Sequence, residues 1–150
     1  MDRRAPAFKY RLAPLLKLDQ WEGSVLGVEL RRARSLLENK QSLHREILQR
    51  IEQAQAEMRG LHQADARIPL EKTRMLAAYL NEQYAVAETR LADLQRAEQL
   101  FEQIMAQRAA KQKKIHALEE HREREQQQHA TEQDRAGQRH ADELWLITRR

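Results

Sequence analysis

Apolar residues recur along this chain on alternating steps of four and three, in two runs separated by a short segment between Gly60 and Pro69. In the first run Leu26, Leu30, Ala33, Leu37, Ile47, Ile51, Ala54, Met58 and Leu61 keep the rhythm, with Lys40 and His44 as polar interruptions. In the second, Leu80, Tyr84, Ala87, Leu91, Leu94, Phe101, Met105, Ile115 and Leu118 keep it, interrupted by Glu98, Arg108 and Gln112. An apolar repeat of this kind is the seam of a coiled coil, and two seams joined by a turn predict a helical hairpin. Pro14 suits a first helical turn, where its missing N–H is not needed, so a helix is expected over 14–60. Gly23 and Gly27 weaken that helix locally and leave room for a partner to approach. Residues 61–68 read as the turn, with Asp65 as a cap and Pro69 opening a second helix over 69–118. The expected fold class is all-α, a long antiparallel two-helix coiled-coil hairpin forming a single elongated domain, 1–150.

Equal rise along both helices means that residues facing each other across a fold-back near residue 65 should have numbers summing to about 130. Leu12 then faces Leu118, and both apolar tracts end together. The same register sets Glu98 near Arg32, Arg108 near Glu22, and Lys40 near Glu88 and Arg90, so that two polar interruptions meet opposite charge and pin the alignment.

Beyond Leu118 the pattern stops. Residues 119–150 form a charged extension rich in Glu, Arg, Gln and His, without a seam and without a partner in the hairpin. It is expected to be either a helix supported by charge pairs three and four apart or a disordered tail. Near its end stands an apolar knob, Leu144-Trp145-Leu146-Ile147, of the kind that marks a binding element.

Composition agrees with long helices: 33% charged residues, 5% aromatic, four Gly and three Pro. The net charge of +4 is accounted for at one end, where Arg3, Arg4, Lys9, Arg11 and Lys17 outnumber the single acid Asp2. Past residue 17 acids and bases are interspersed as on a solvated helix, which argues against a nucleic-acid partner. Cysteine is absent, so disulfides and thiolate metal sites are excluded. The early apolar run from Leu12 to Leu18 contains Pro14 and Lys17, which reads as neither a signal peptide nor a span, and a soluble cytosolic protein is expected.

Candidate chemistry is sparse. No glycine-rich phosphate loop is present, and a thin hairpin offers no pocket in which a nucleophile and base could converge, so no catalytic residue and no cofactor is assigned. Glu125, His129 and Glu132 share one helical face, but a metal bundle needs Glu-x-x-His repeats on several helices, and no metal is assigned. His44 reads as a tolerated polar seam position. Tyr84 and Phe101 read as core, while Tyr79, off the seam, is the better candidate for an outside contact. A thin seam with alanines and charges is marginally stable alone, so a partner is expected to stabilise it.

The opening Phe8-Lys9-Tyr10-Arg11-Leu12 with Leu15-Leu16-Lys17-Leu18 and Glu22, the heptad body, Ala117-Leu118-Glu119-Glu120 and the late Asp142-Glu143 resemble the FliJ family of flagellar type III export proteins. The likeness covers most of the chain, and its specific part is the amino-terminal block. It implies a non-enzymatic antiparallel coiled coil, similar to the central stalk of rotary ATPases, whose open end enters the hexameric export ATPase and promotes its activity. It also implies contacts with the cytoplasmic domain of the export gate protein and with substrate chaperones, and a cytoplasmic position peripheral to the inner membrane through those partners. The ring contact is expected at Phe8, Tyr10, Arg11, Leu15, Leu144, Trp145 and Ile147. The gate contact is expected at Leu43, Ile47, Tyr79, Leu80, Tyr84 and Ala87, with Arg50 standing where the family pattern has an aromatic. The stalk proteins of virulence secretion systems are similar, and a generic coiled-coil scaffold or chaperone is the alternative from another class.

Overall fold

Runs of Leu, Ala, Glu, Gln, Arg and Lys, all good helix formers, build the two elements present. The computed structural model describes residues 6–63 and 70–149. Helix α1 spans Ala13–Gln63 and α2 spans Leu70–Thr148, 51 and 79 residues long. They pack against each other as an all-α helical hairpin, with no strand among the described residues. Helix α1 begins one residue before Pro14, which therefore sits inside the first turn. It runs on through residues 61–63, where the turn was expected to begin. The rest of that turn, the Asp65 cap and the start at Pro69 lie outside the described residues, as do Arg3, Arg4 and Arg150. No helix among the described residues is long and apolar enough to cross a membrane.

The chain, read from its sequence as one domain, divides into two compact units. A middle unit comprises Gly27–Ala106, and a terminal unit comprises Met1–Leu26 with Gln107–Arg150.

The middle unit holds the apolar core. Ile47 is fully buried, at 0% exposure, and Ile51, Ala54 and Leu80 are buried around it, with Met58, Leu76 and Ala87 packed against them. On α1 the seam is the expected one. On α2 only half of it is. Leu80, Ala87, Leu94 and Phe101 turn inward, but the alternating positions are Leu76, Gln83, Arg90, Ala97 and Ile104, each one place before the expected series. Tyr84, Leu91 and Met105 are left 43%, 41% and 48% exposed. The choice follows side-chain shape. Ala97 and Ile104 are compact enough to be buried between the backbones. Arg90 places its stem in the seam and carries its charge out, donating from Nη1 to the Leu43 carbonyl at 2.7 Å and lying 3.9 Å from Glu46. The expected pairings of Glu98 with Arg32 and of Lys40 with Glu88 are not among the ion pairs of the described residues.

In the terminal unit the α1 seam continues through Leu16 and Asp19, which are 3% and 2% exposed. Gly23 follows. A Cβ placed there would lie 3.3 Å from Ile115 Cδ1 and 3.7 Å from Lys111 Cγ, so α2 passes close here and a side chain would press on the flexible end of Ile115. The residue answering Glu22 is Lys111, not the expected Arg108, a displacement of about one helical turn along α2.

The stretch after Leu118, for which no partner was expected, continues α2 without a break to Thr148. Its partner is the segment before α1. Residues 6–10 run alongside α2, and the half-buried positions His121, Glu125, His129 and Gln133 step by four along the face they cover. The helix-to-helix repeat gives way here because an irregular segment imposes no seven-residue phase.

Candidate functional site

The most elaborate side-chain cluster is in the terminal unit and is polar. Lys111 Nζ donates to Glu22 Oε2 at 2.6 Å and to Asp19 Oδ1 at 3.0 Å. Both oxygens hold the ammonium charged, Glu22 first and Asp19 second, and raise its pKa above the ordinary 10.5. Asp19 Oδ2 is buried with no hydrogen-bond partner among the described residues. An unmet buried acceptor costs about 1–3 kcal/mol, so this cluster specifies alignment more than it adds stability.

A second cluster fixes the segment before α1. The Tyr10 hydroxyl donates to the Leu118 carbonyl at 3.2 Å and meets His121 Nδ1 at 2.8 Å. Which partner donates in the 2.8 Å contact follows the imidazole tautomer. His121 Nε2 lies 3.4 Å from Glu125 on the next turn. Phe8 packs its ring at 5.5 Å and 53° to His129, and Gln133 Nε2 donates to the Pro6 carbonyl at 3.2 Å. Helix N-termini need outside partners for their first N–H groups. Here the chain turns into α1 through Ala13 N–H donating to the Tyr10 carbonyl at 3.1 Å.

These contacts sort the residues expected at a ring contact. Tyr10 is buried at 8% exposure, and its hydroxyl is occupied inside the unit. Phe8 is half-buried against His129, and Arg11 and Leu15 are exposed. Leu144, Trp145 and Ile147 occupy the last turn of α2 with Leu146, and all four are at least half exposed. Successive residues are about 100° apart around a helix, so four in a row face every direction and no single neighbouring helix can cover them. Arg149 closes this turn, its guanidinium carbon 4.4 Å from the centre of the Trp145 ring.

The residues expected at a gate contact do not form one surface. Ile47 and Leu80 belong to the core of the middle unit, and Ala87 packs against it. Burial removes them from outside contact. Tyr79, 40% exposed, and half-buried Leu43 lie on one flank of the seam. Tyr84 lies on the other, its hydroxyl accepting from Gln55 Nε2 at 2.7 Å. One heptad from the Gln55–Tyr84 pair, Leu48 and Leu91 are exposed on the same flank.

The acid and histidine face noted in the sequence is put to other uses. Glu125 contacts His121, and His129 contacts Phe8 and Gln133. Among the described residues no three His, Asp or Glu side chains gather as a metal would require. The sequence reading missed the Lys111 cluster and the cover over 118–133. A signal for the first existed in Asp19 and Lys111, each of which continues its helix's seven-residue series. Comparison with protein-family models, with curated proteins and with solved structures finds no match to this chain.

Proposed function

We propose that this chain is a non-enzymatic coupling stalk of a flagellar type III protein export apparatus, or of the equivalent virulence system. In this reading it enters the hexameric export ATPase, promotes hydrolysis, and links the ring to the export gate and to substrate chaperones, reaching the membrane only through those partners. The observation that carries the reading is in the terminal unit. Residues 6–10, with Phe8, Lys9 and Tyr10, lie along α2 at 118–133, the same helix that ends in an exposed apolar turn at 144–147. A stalk turning within a symmetric lumen needs a few apolar contacts facing all ways, plus charge, rather than one fixed interface.

Mixing the folded protein with purified export ATPase tests this. Hydrolysis and hexamer formation should both rise, and no change in either rejects the stalk. Removing residues 144–150 should weaken ring engagement while leaving helicity nearly unchanged. A scaffold that assembles laterally is the second reading, favoured by Leu48, Tyr84, Leu91 and Met105 standing exposed beside the seam of the middle unit. Light scattering separates the two, since a stable dimer or tetramer favours the scaffold.

A further inference from the structure

Three contacts converge where the segment before α1 crosses α2. The Tyr10 hydroxyl donates to the Leu118 carbonyl at 3.2 Å, its oxygen lies 2.8 Å from His121 Nδ1, and His121 Nε2 lies 3.4 Å from Glu125 Oε1. The two rings are 5.7 Å apart at 53°. Tyr10 is buried, and its hydroxyl has a single proton to give.

A neutral imidazole cannot meet all three. With its proton on Nδ1 it donates to the Tyr10 oxygen, and Nε2 then turns a lone pair toward the Glu125 carboxylate. With its proton on Nε2 it donates to Glu125, and the Tyr10 hydroxyl must swing its own proton to Nδ1 and leave Leu118. Either tautomer forfeits one contact. The imidazolium carries both protons and completes the set, donating to Tyr10 and to Glu125 while Tyr10 keeps Leu118.

The other charges nearby are Lys9 and Arg11 beside Tyr10, Lys17 in the first turns of α1, and Arg124 on the next turn of α2. All four are exposed, so solvent and salt screen their opposition to a charged His121, whereas Glu125 is in direct reach. A second imidazole, His129, also lies under the segment. Its Nε2 is 3.5 Å from Gln133 Nε2, where it can only accept, and its ring stands 5.5 Å from that of Phe8, which favours a cation. Charging His129 loses at the first contact and gains at the second, so it gives no one-sided dependence.

We propose that His121 makes residues 6–10 a pH-sensitive strap, clasped onto α2 while the imidazole is charged and loosened as rising pH neutralises it. The strap covers Tyr10, and its opening would release that side chain for outside contact. It is internal to the chain and stands whether or not the stalk reading does.

Cysteine is absent, so nitroxide labels on Ala7→Cys and Ala130→Cys, both exposed positions, report in the full-length protein how often the segment lies along α2. The ratio of close to distant label pairs should be about fivefold higher near pH 5.5 than near pH 8, the range over which imidazole changes charge. His121→Gln, neutral throughout, should flatten this dependence, and so should Tyr10→Phe, which uncouples the imidazole from the segment. His129→Gln should leave it in place. Circular dichroism checks that each variant stays helical. A ratio independent of pH or rising with it, the same dependence in His121→Gln or Tyr10→Phe, or its loss in His129→Gln overturns the proposal.

Discussion

The middle unit is held by apolar contact and the terminal unit by directed polar contact, and the two kinds of packing do different work. Around Ile47 the stabilisation comes from area removed from water, which is large and indifferent to direction. At Lys111 and Tyr10 it comes from hydrogen bonds whose net contribution is small but which are lost if either helix shifts by one residue. An apolar seam repeats every seven residues and tolerates slippage by whole heptads. A lysine with two carboxylates to find does not.

The largest expected effect is therefore in the middle unit. Ile47→Ala should destabilise by about 2–5 kcal/mol, since the side chain is fully buried and the cavity left behind cannot refill. The midpoint of urea unfolding checks this. A loss no greater than that of Met105→Ala, a substitution of an exposed side chain, would mean that the apolar core is not where stability resides.

Next is Lys111→Met, which leaves the buried Asp19 without its cation. Slowed amide exchange within 16–26 and 107–118 should be lost selectively, and adding Asp19→Leu should restore much of it. This variant also isolates a pH dependence. Because the Lys111 pKa is raised from 10.5 in the fold, its stabilising contribution is complete below 10.5 and fades as pH climbs through the higher folded value. The natural chain should lose more stability than Lys111→Met does above that point, as read by thermal unfolding followed by circular dichroism. Parallel curves would remove the cluster from the account.

Smaller is Tyr10→Phe, which keeps the ring beside His121 but deletes the hydroxyl, costing about 0.5–1.5 kcal/mol. Its signature is local, a gain in proteolysis of the segment before α1 with α2 still helical. Least is Gly23→Ala. The new Cβ meets the flexible end of Ile115, which can give by a few tenths of an ångström, so the gain in helix propensity should win by about 0.5 kcal/mol. A measured loss would show that Ile115 is locked in place.

Much of this arrangement was legible in the residues. Two helices and the α1 seam from Leu26 to Leu61 follow from spacing alone, whereas the continuation of α2 from 119 to 148 does not, and the apolar cluster at 144–147 was visible only as a run of apolar residues. The α2 seam did not follow either, because two interleaved series compete there. Tyr84 and Leu91 are more apolar than Gln83 and Arg90, yet Gln83, Arg90, Ala97 and Ile104 are the ones that turn inward. The residues held one clue. Ile115 and Leu118 are three apart, and counting back by sevens from Leu118 leads to Lys111, Ile104 and Ala97, not to Met105. The residues expected at a gate contact scattered because Ile47 and Leu80 are seam positions buried in the middle unit with Ala87 packed against them, while Tyr84 alone of the six came from the wrong phase. The cover over 118–133 had no periodic signal, because residues 6–10 are not helical and pair through single aromatic and amide side chains.

Helix formation depends on neighbours within about four residues, so the order of residues alone determined that this chain makes two long helices, one of them with an unambiguous buried face. Which face α2 turns inward, which lysine answers Asp19 and Glu22, and what covers α2 beyond Leu118 were decided only in the folded pair. Each depends on groups far off in the chain, 47 positions for Arg90 and Leu43 and 108 for Tyr10 and Leu118, whose shapes and charges must be met together and not one at a time.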